Sequence, residues 1–195
     1  MFWGNSELAN MNYFRLVADD DSSWHLQLPD TFPNGEDLDV WAFRKGVAYS
    51  GLQPVPILVQ REGRPVDYVP TAFGSEIMST RMANIIDEIA PDEIQRIPTV
   101  IAAEGSWELI NPLHVVDCID HDRSDIQYYP PDHPRLAGNP RMVVKLVING
   151  NRTQGHDLFM AKGWRVATIV SERLRMALQD TGISGIDFWP VSAED

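Results

Sequence analysis

Cysteine is all but missing: Cys118 stands alone among 195 residues. No disulfide can close within the chain, and a small secreted scaffold held by disulfides is excluded. Basic side chains are scarce as well. Sixteen Lys and Arg face 28 Asp and Glu, for a formal net charge of -12. Such a field repels nucleic-acid backbones and anionic membranes and attracts a basic protein. No apolar run reaches the ~18 to 20 residues a membrane helix needs. "MFWGNSELAN" at the start has neither the basic nor the apolar region of a secretory signal. A cytoplasmic globular protein is the expectation. Signature motifs are missing too: there is no CxxC, HExxH, GxSxG, GxxxxGK[ST] or GxGxxG. "GISGIDF" has glycines, but no helix follows to offer amides to a phosphate.

What is present points to a packed core, since 44% of residues are hydrophobic and 23% charged. Apolar alternation begins after Met11, which leaves residues 1–10 as a flexible lead ahead of one domain spanning 11–195. "YFRLVA" reads as a strand running into the turn Asp19, Asp20, Asp21. "DVWAFRKG" and "VPILVQREGRPVDYV" read as further strands, with their prolines at edges or ends. Met78, Met82, Ile85, Ile86 and Ile89 make one apolar stripe, which predicts a helix from about Ser75 to Ile89, stopped by Pro91. "IPTVIA", "WELIN" and "LHVVDCI" read as strands. "YYPPDHPRLAGNPR" is a loop. Asn149-Gly150, following "MVVKLVI", predicts a hairpin turn. Then come a strand "WRVATIV" and a helix capped by Ser171 with Leu174, Ala177 and Leu178 inward. Gly182 stops that helix, and a short strand ends before Pro190. No 20 to 50 residue period repeats. The fold class expected is α+β: a single domain of mostly antiparallel sheet, with a few helices packed on one side.

The densest chemistry lies in "NPLHVVDCIDHDRS", Asn111 to Ser124. His114, Cys118 and His121 are plausible zinc ligands, with Asp117, Asp120 and Asp122 nearby. The β-branched Val115, Val116 and Ile119 favour a strand, however, which turns His114 and Cys118 to one face and His121 to the other. The ligands then fail to converge. No metal, cofactor or catalytic residue is expected, and Cys118 reads as a small core residue. A metal- or cysteine-dependent enzyme built on His114, Cys118 and His121 is the rival reading.

The other concentration is acidic. Asp19, Asp20, Asp21, Asp30, Glu36, Asp37 and Asp39 fall in a stretch without Lys or Arg. The first 98 residues hold 15 acidic and 7 basic side chains, net -8; the remainder hold 13 and 9, net -4. A solvated loop is the bland explanation, and an interface for a basic protein the functional one. Of the six tryptophans, Trp24 and Trp41 bracket the acidic stretch as candidate anchors; Trp24 is the better surface candidate and Trp41 also reads as core, whereas Trp107, Trp164 and Trp189 are expected in the core.

In order, "MNYFRL", "DVWAFRKG", "YVPTAFGSEIMSTRMANII", "IPTVI", "WELINPLHVVDCIDHDRS", "GHDLFMAKGW" and "IVSERLRMALQDTGISGIDFWPV" resemble the bacterial immunity protein family numbered eleven. This former domain of unknown function is typified by a myxobacterial immunity protein. The resemblance spans about Tyr13 to Val191. It implies an antidote encoded beside a polymorphic toxin used in interbacterial competition, acting by stoichiometric binding and not as an enzyme. No catalytic or toxin-contacting residue carries over. The implied partner is a cognate toxin, and a basic nuclease would suit the charge. Neither nucleic acid nor membrane is expected as a partner. Self-association through edge strands is a third reading.

Overall fold

The computed structural model describes residues 12–19, 24–51 and 53–194. The expected lead, and Asp20 and Asp21, lie outside the described residues. In chain order the first half contains β1 (Tyr13–Ala18), β2 (His25–Gln27), β3 (Val55–Arg61), β4 (Tyr68–Pro70), β5 (Glu76–Ser79), α1 (Thr80–Ile89), β6 (Ile94–Ile101) and β7 (Trp107–Pro112). The second half contains β8 (Val115–Val116), β9 (Asp125–Tyr128), β10 (Pro140–Lys145), β11 (Val147–Asn149), β12 (Leu158–Ala161), β13 (Trp164–Ser171), α2 (Glu172–Asp180) and β14 (Ile186–Glu194). They build two six-stranded sheets, β11-β14-β1-β13-β12-β8 and β2-β3-β6-β7-β5-β4, and a two-stranded ribbon, β10-β9. Most pairings are antiparallel; β3/β6, β11/β14 and β12/β8 are parallel. Among the described residues the protein is mostly sheet with two α-helices, consistent with α+β.

The five strands β4-β5-β7-β6-β3 repeat as β12-β13-β1-β14-β11. Ser79 pairs with Trp107 as Ser171 pairs with Tyr13. Ile94 pairs with Pro112 as Ile186 pairs with Ala18, and the parallel partner recurs at the same end. The middle strand of the first unit, β7, follows its neighbour β6, whereas that of the second unit, β1, comes from the start of the chain. The repeat is thus permuted and 92 positions long, from Ser79 to Ser171. A search for short periods misses it.

Each unit carries the same latch. Ser79 Oγ accepts from Met82 N at 3.1 Å and donates to Asp67 Oδ1 at 2.6 Å, and Arg81 pairs with Asp67. Ser171 Oγ accepts from Leu174 N at 3.2 Å and donates to Asp157 Oδ1 at 2.5 Å, and Arg173 pairs with Asp157. The arginines cross over. Arg173 donates to Ile89 O at the end of α1, and Arg81 to Thr181 O and Gly182 O beyond the end of α2. Cations thereby meet carbonyls that have no partner within their own helix. Ser79→Ala and Ser171→Ala should each cost about 1–2 kcal/mol, and the double variant about the sum, as read from urea unfolding.

Burial alone would raise the Asp67 pKa, but hydrogen bonds from Arg81, Ser79 and Ser184 outweigh it and hold the carboxyl at about 2, below the ordinary value of 3.8. The folded state therefore binds this proton less readily than the unfolded chain. Its contribution to stability is complete above pH 3.8 and is lost as pH falls through about 2. Asp67→Asn should remove about 2 kcal/mol at pH 7 and flatten the acid limb of stability against pH.

Met82, Ala83 and Ile86 of α1 join Leu174 and Leu178 of α2, with Met78, Ile110, Leu158 and Val170 from both sheets, in one buried cluster. The helices therefore pack against each other where the sheets meet. A second cluster, including Trp24, Leu28, Phe32, Leu38 and Phe43, lies with Ile77 and Leu109 of the second sheet, and a third, including Tyr13, Cys118 and Phe159, belongs to the first.

Several expectations change. The helix begins at Thr80, because Glu76–Ser79 is a buried strand held between β4 and β7. "DVWAFRKG" folds into a short 3-10 turn, Ala42–Arg44, which brings Phe43 and Arg44 inward. Asn149-Gly150 makes no hairpin. β11 pairs in parallel with β14, Gly150 enters a 3-10 turn, and the local hairpin is β9–β10. β14 continues through Pro190, whose missing N–H is tolerated because its parallel neighbour is reached only at Ser192. Of "LHVVDCI", only Val115–Val116 is a strand.

Candidate functional site

The acidic segment is a shaped platform. Leu28, Phe32 and Leu38 are buried. Between them the backbone closes on itself: Phe32 N donates to Glu36 O at 2.8 Å, Gly35 N to Phe32 O at 2.9 Å and Leu38 N to Asp30 O at 2.8 Å. Asn34 Oδ1 accepts from Glu36 N, an Asx turn, and Gly35 supplies the positive φ of 85°. With the apolar residues inward, Asp30, Glu36, Asp37 and Asp39 all lie exposed. Asp39 is the most constrained: Lys45 bonds it at 2.6 Å and lowers its pKa, and its other oxygen accepts from Trp41 N. Asp19 is half-buried beside Gly185, to whose carbonyl its N–H donates.

The tryptophans exchange their expected places. Trp24 is 1% exposed and meets Trp107 edge-to-face at 5.0 Å, so it cannot anchor a partner on the surface. Trp41 is 51% exposed instead, edge-to-face with Phe73. It borders a groove of about 570 Å³ also lined by Leu136, Trp164 and Val166. Trp189, expected in the core, is exposed; Trp107 is buried, and Trp164 is half-buried against the third cluster. Alternation along the chain cannot reveal which face of a strand meets a second layer, and the error follows from that.

The His/Cys block disperses. Cys118 is fully buried, and burial pushes its thiol up to about 12, so it is no thiolate near neutrality. His121 is exposed and bonded to the Tyr128 hydroxyl at 3.1 Å. His114 stacks on His156, with centroids 3.9 Å apart, and its pKa is lowered by burial and by that neighbour. Among the described residues, the group of potential ligands that does gather is Glu93, His114 and His156. Sequence reasoning missed Glu93 and His156, which stand 21 and 42 positions from His114 with no local pattern to link them.

The geometry comprises an anchored acidic platform, an exposed aromatic pair, and a cysteine withdrawn from chemistry. Comparison with known families adds the deciding observation: the model described as Immunity protein family (Imm11) matches residues 25–193. The chain belongs to that family. The Imm11 match begins at His25, so β1 lies outside it, although β1 sits in mid-sheet between β13 and β14. A comparison with curated proteins found no match. Among the described residues, no helix is long and apolar enough to cross a membrane.

Proposed function

We propose that this Imm11 protein is the antidote to a cognate polymorphic toxin, which it neutralises in the cytoplasm by stoichiometric binding, with no reaction of its own. Family membership over residues 25–193 carries this reading. The surface proposed for the toxin centres on Asp30, Glu36, Asp37 and Asp39, whose carboxylates are exposed on a backbone closed by its own hydrogen bonds. Along the chain, Asp19, Asp20 and Asp21 add three more carboxylates ahead of this stretch. Trp41, two residues past Asp39, takes the anchoring role first expected of Trp24. A pre-ordered acidic face raises the encounter rate with a basic partner, which suits a toxin that acts on a polyanion, such as a nuclease.

The test begins with the toxin gene adjacent to the antidote gene. Co-expression should restore growth to cells making that toxin, and the two proteins should co-purify in equal amounts. Continued killing together with no complex on a sizing column would reject the proposal. Rescue without a complex would also reject it, since neutralisation would then be catalytic.

A further inference from the structure

Glu93, His114 and His156 come from three separate connections: α1 to β6, β7 to β8, and the approach to β12. One potential ligand atom from each lies within 4.8 Å of the other two. The carboxylate is held by the backbone: Glu93 Oε1 accepts from Asp157 N at 3.2 Å and from His156 Nδ1 at 3.0 Å, and Oε2 accepts from Leu158 N at 2.5 Å. The Glu93 and His156 side chains are 12% and 21% exposed, so the group is sheltered yet reachable.

The internal repeat provides a comparison within the same chain. Glu93 occupies the place of Gly185: Leu113 N donates to Glu93 O as Asp19 N donates to Gly185 O. The amides of Asp67 and Tyr68, which match Asp157 and Leu158, go to Ser184 O at 3.1 and 3.2 Å. His156 matches Val66, which packs so closely on Gly185 that an added Cβ would lie 2.6 Å from its Cγ2. A glycine, a valine and a backbone carbonyl thus suffice to close one seam. The other seam closes the matching two amides on a carboxylate and carries two imidazoles beside it, one of them at the place of Val66.

We propose that Glu93, His114 and His156 bind a divalent transition-metal cation of the zinc class, which ties the three connections together at the seam between the sheets. Two imidazoles and one carboxylate suit zinc and its borderline neighbours, whereas magnesium and calcium prefer oxygen alone. Ligands at 2.0–2.1 Å from a tetrahedral ion lie about 3.4 Å apart, inside the 4.8 Å within which the three atoms already stand. The rings stack at 25°, so their lone pairs run side by side, and one ring must turn to meet the ion. His114 is suited to turn, because among the described residues no hydrogen bond holds its ring. Three protein ligands leave a position for water or for an atom from a partner.

Titration of the full chain with ZnCl2 should show one equivalent bound, and Co2+ should give the visible bands of a four- or five-coordinate ion. His114→Ala and His156→Ala should each weaken zinc binding by about tenfold or more. His121→Ala, at an exposed histidine outside the group, should bind as the unsubstituted chain does. Zinc should also shield His114 and His156, but not His121, from diethyl pyrocarbonate in the unsubstituted protein, a readout that needs no variant to fold. Substoichiometric binding, equal binding by both alanine variants, or unshielded His114 and His156 would each overturn the site. Toxin rescue plays no part in these measurements, so this result and the antidote reading stand or fall separately.

Discussion

Arg44→Ala is expected to destabilise the fold by about 3–5 kcal/mol, the cost of leaving a buried charge without its partner. Arg44 and Glu76 have side chains only 3% exposed. The guanidinium donates through Nη1 to Glu76 Oε2 at 3.2 Å and to Thr168 Oγ1 at 3.1 Å. Its Nε and Nη2 both donate to Arg165 O, at 2.8 and 2.5 Å. Glu76 is further held by hydroxyls of Tyr68 and Thr168, each at 2.8 Å. Glu76 and Thr168 occupy equivalent places, three residues before Ser79 and Ser171, so this cluster joins the two sheets between matching positions of the repeat. Alanine strands the carboxylate among neutral donors and leaves the Arg165 carbonyl without its fork. Arg44→Lys should fall between the two, since an ammonium keeps the charge but lacks the planar fork. Urea unfolding at unchanged slope is the measurement. A loss below about 1 kcal/mol, the net worth of one ordinary hydrogen bond, would show that the cluster does not hold the sheets together.

The second large effect concerns recognition. Reversing Asp30, Glu36 and Asp37 together to lysine takes the formal net charge from -12 to -6. These side chains are exposed, and Phe32 and Leu38 stay in place beneath them. Stability should therefore change by less than about 0.5 kcal/mol per site. The association rate with the cognate toxin should drop by about 100-fold at low salt, within the range that steering supplies. The slowing that salt imposes on the unsubstituted protein should largely vanish in the variant. Trp41→Ala should act on the other rate, hastening dissociation by a factor equivalent to about 2 kcal/mol, as the loss of an aromatic anchor does. Stopped-flow mixing separates the two effects. Unchanged association by the triple variant would place the toxin on another face.

Element types were largely legible where local chemistry decides them. Ser171 caps its helix, Gly182 stops it with a φ of 65°, and Pro- and Gly-rich residues 129–139 form a loop. Errors came where the same local pattern serves two geometries. Met78 and Met82 are spaced four apart and read as one helical stripe, yet Met78 sits on β5 and Met82 on α1, and both are buried in the same cluster. Asn149-Gly150 reads as a hairpin turn, but parallel pairing with β14 overrides that local preference. Asp30, Glu36, Asp37 and Asp39 lie exposed because charge resists burial. The tryptophans were misplaced because a large ring is stable on either side of a surface that alternation alone does not define.

From the sequence by itself came an acidic chain without disulfides, made of strands and a few helices, one of them capped by Ser171, and resembling an immunity protein. Those properties follow from composition and from contacts within a few residues. Only the tertiary structure decided which tryptophan faces water, that two permuted units interlock as Arg81 reaches Thr181 O and Gly182 O and Arg173 reaches Ile89 O, and that His114 meets His156 and Glu93, while Cys118 and His121 lie apart from them. The reason is physical: these placements depend on groups tens of residues apart, brought together by burial and register, and neither leaves a mark within a short window of sequence.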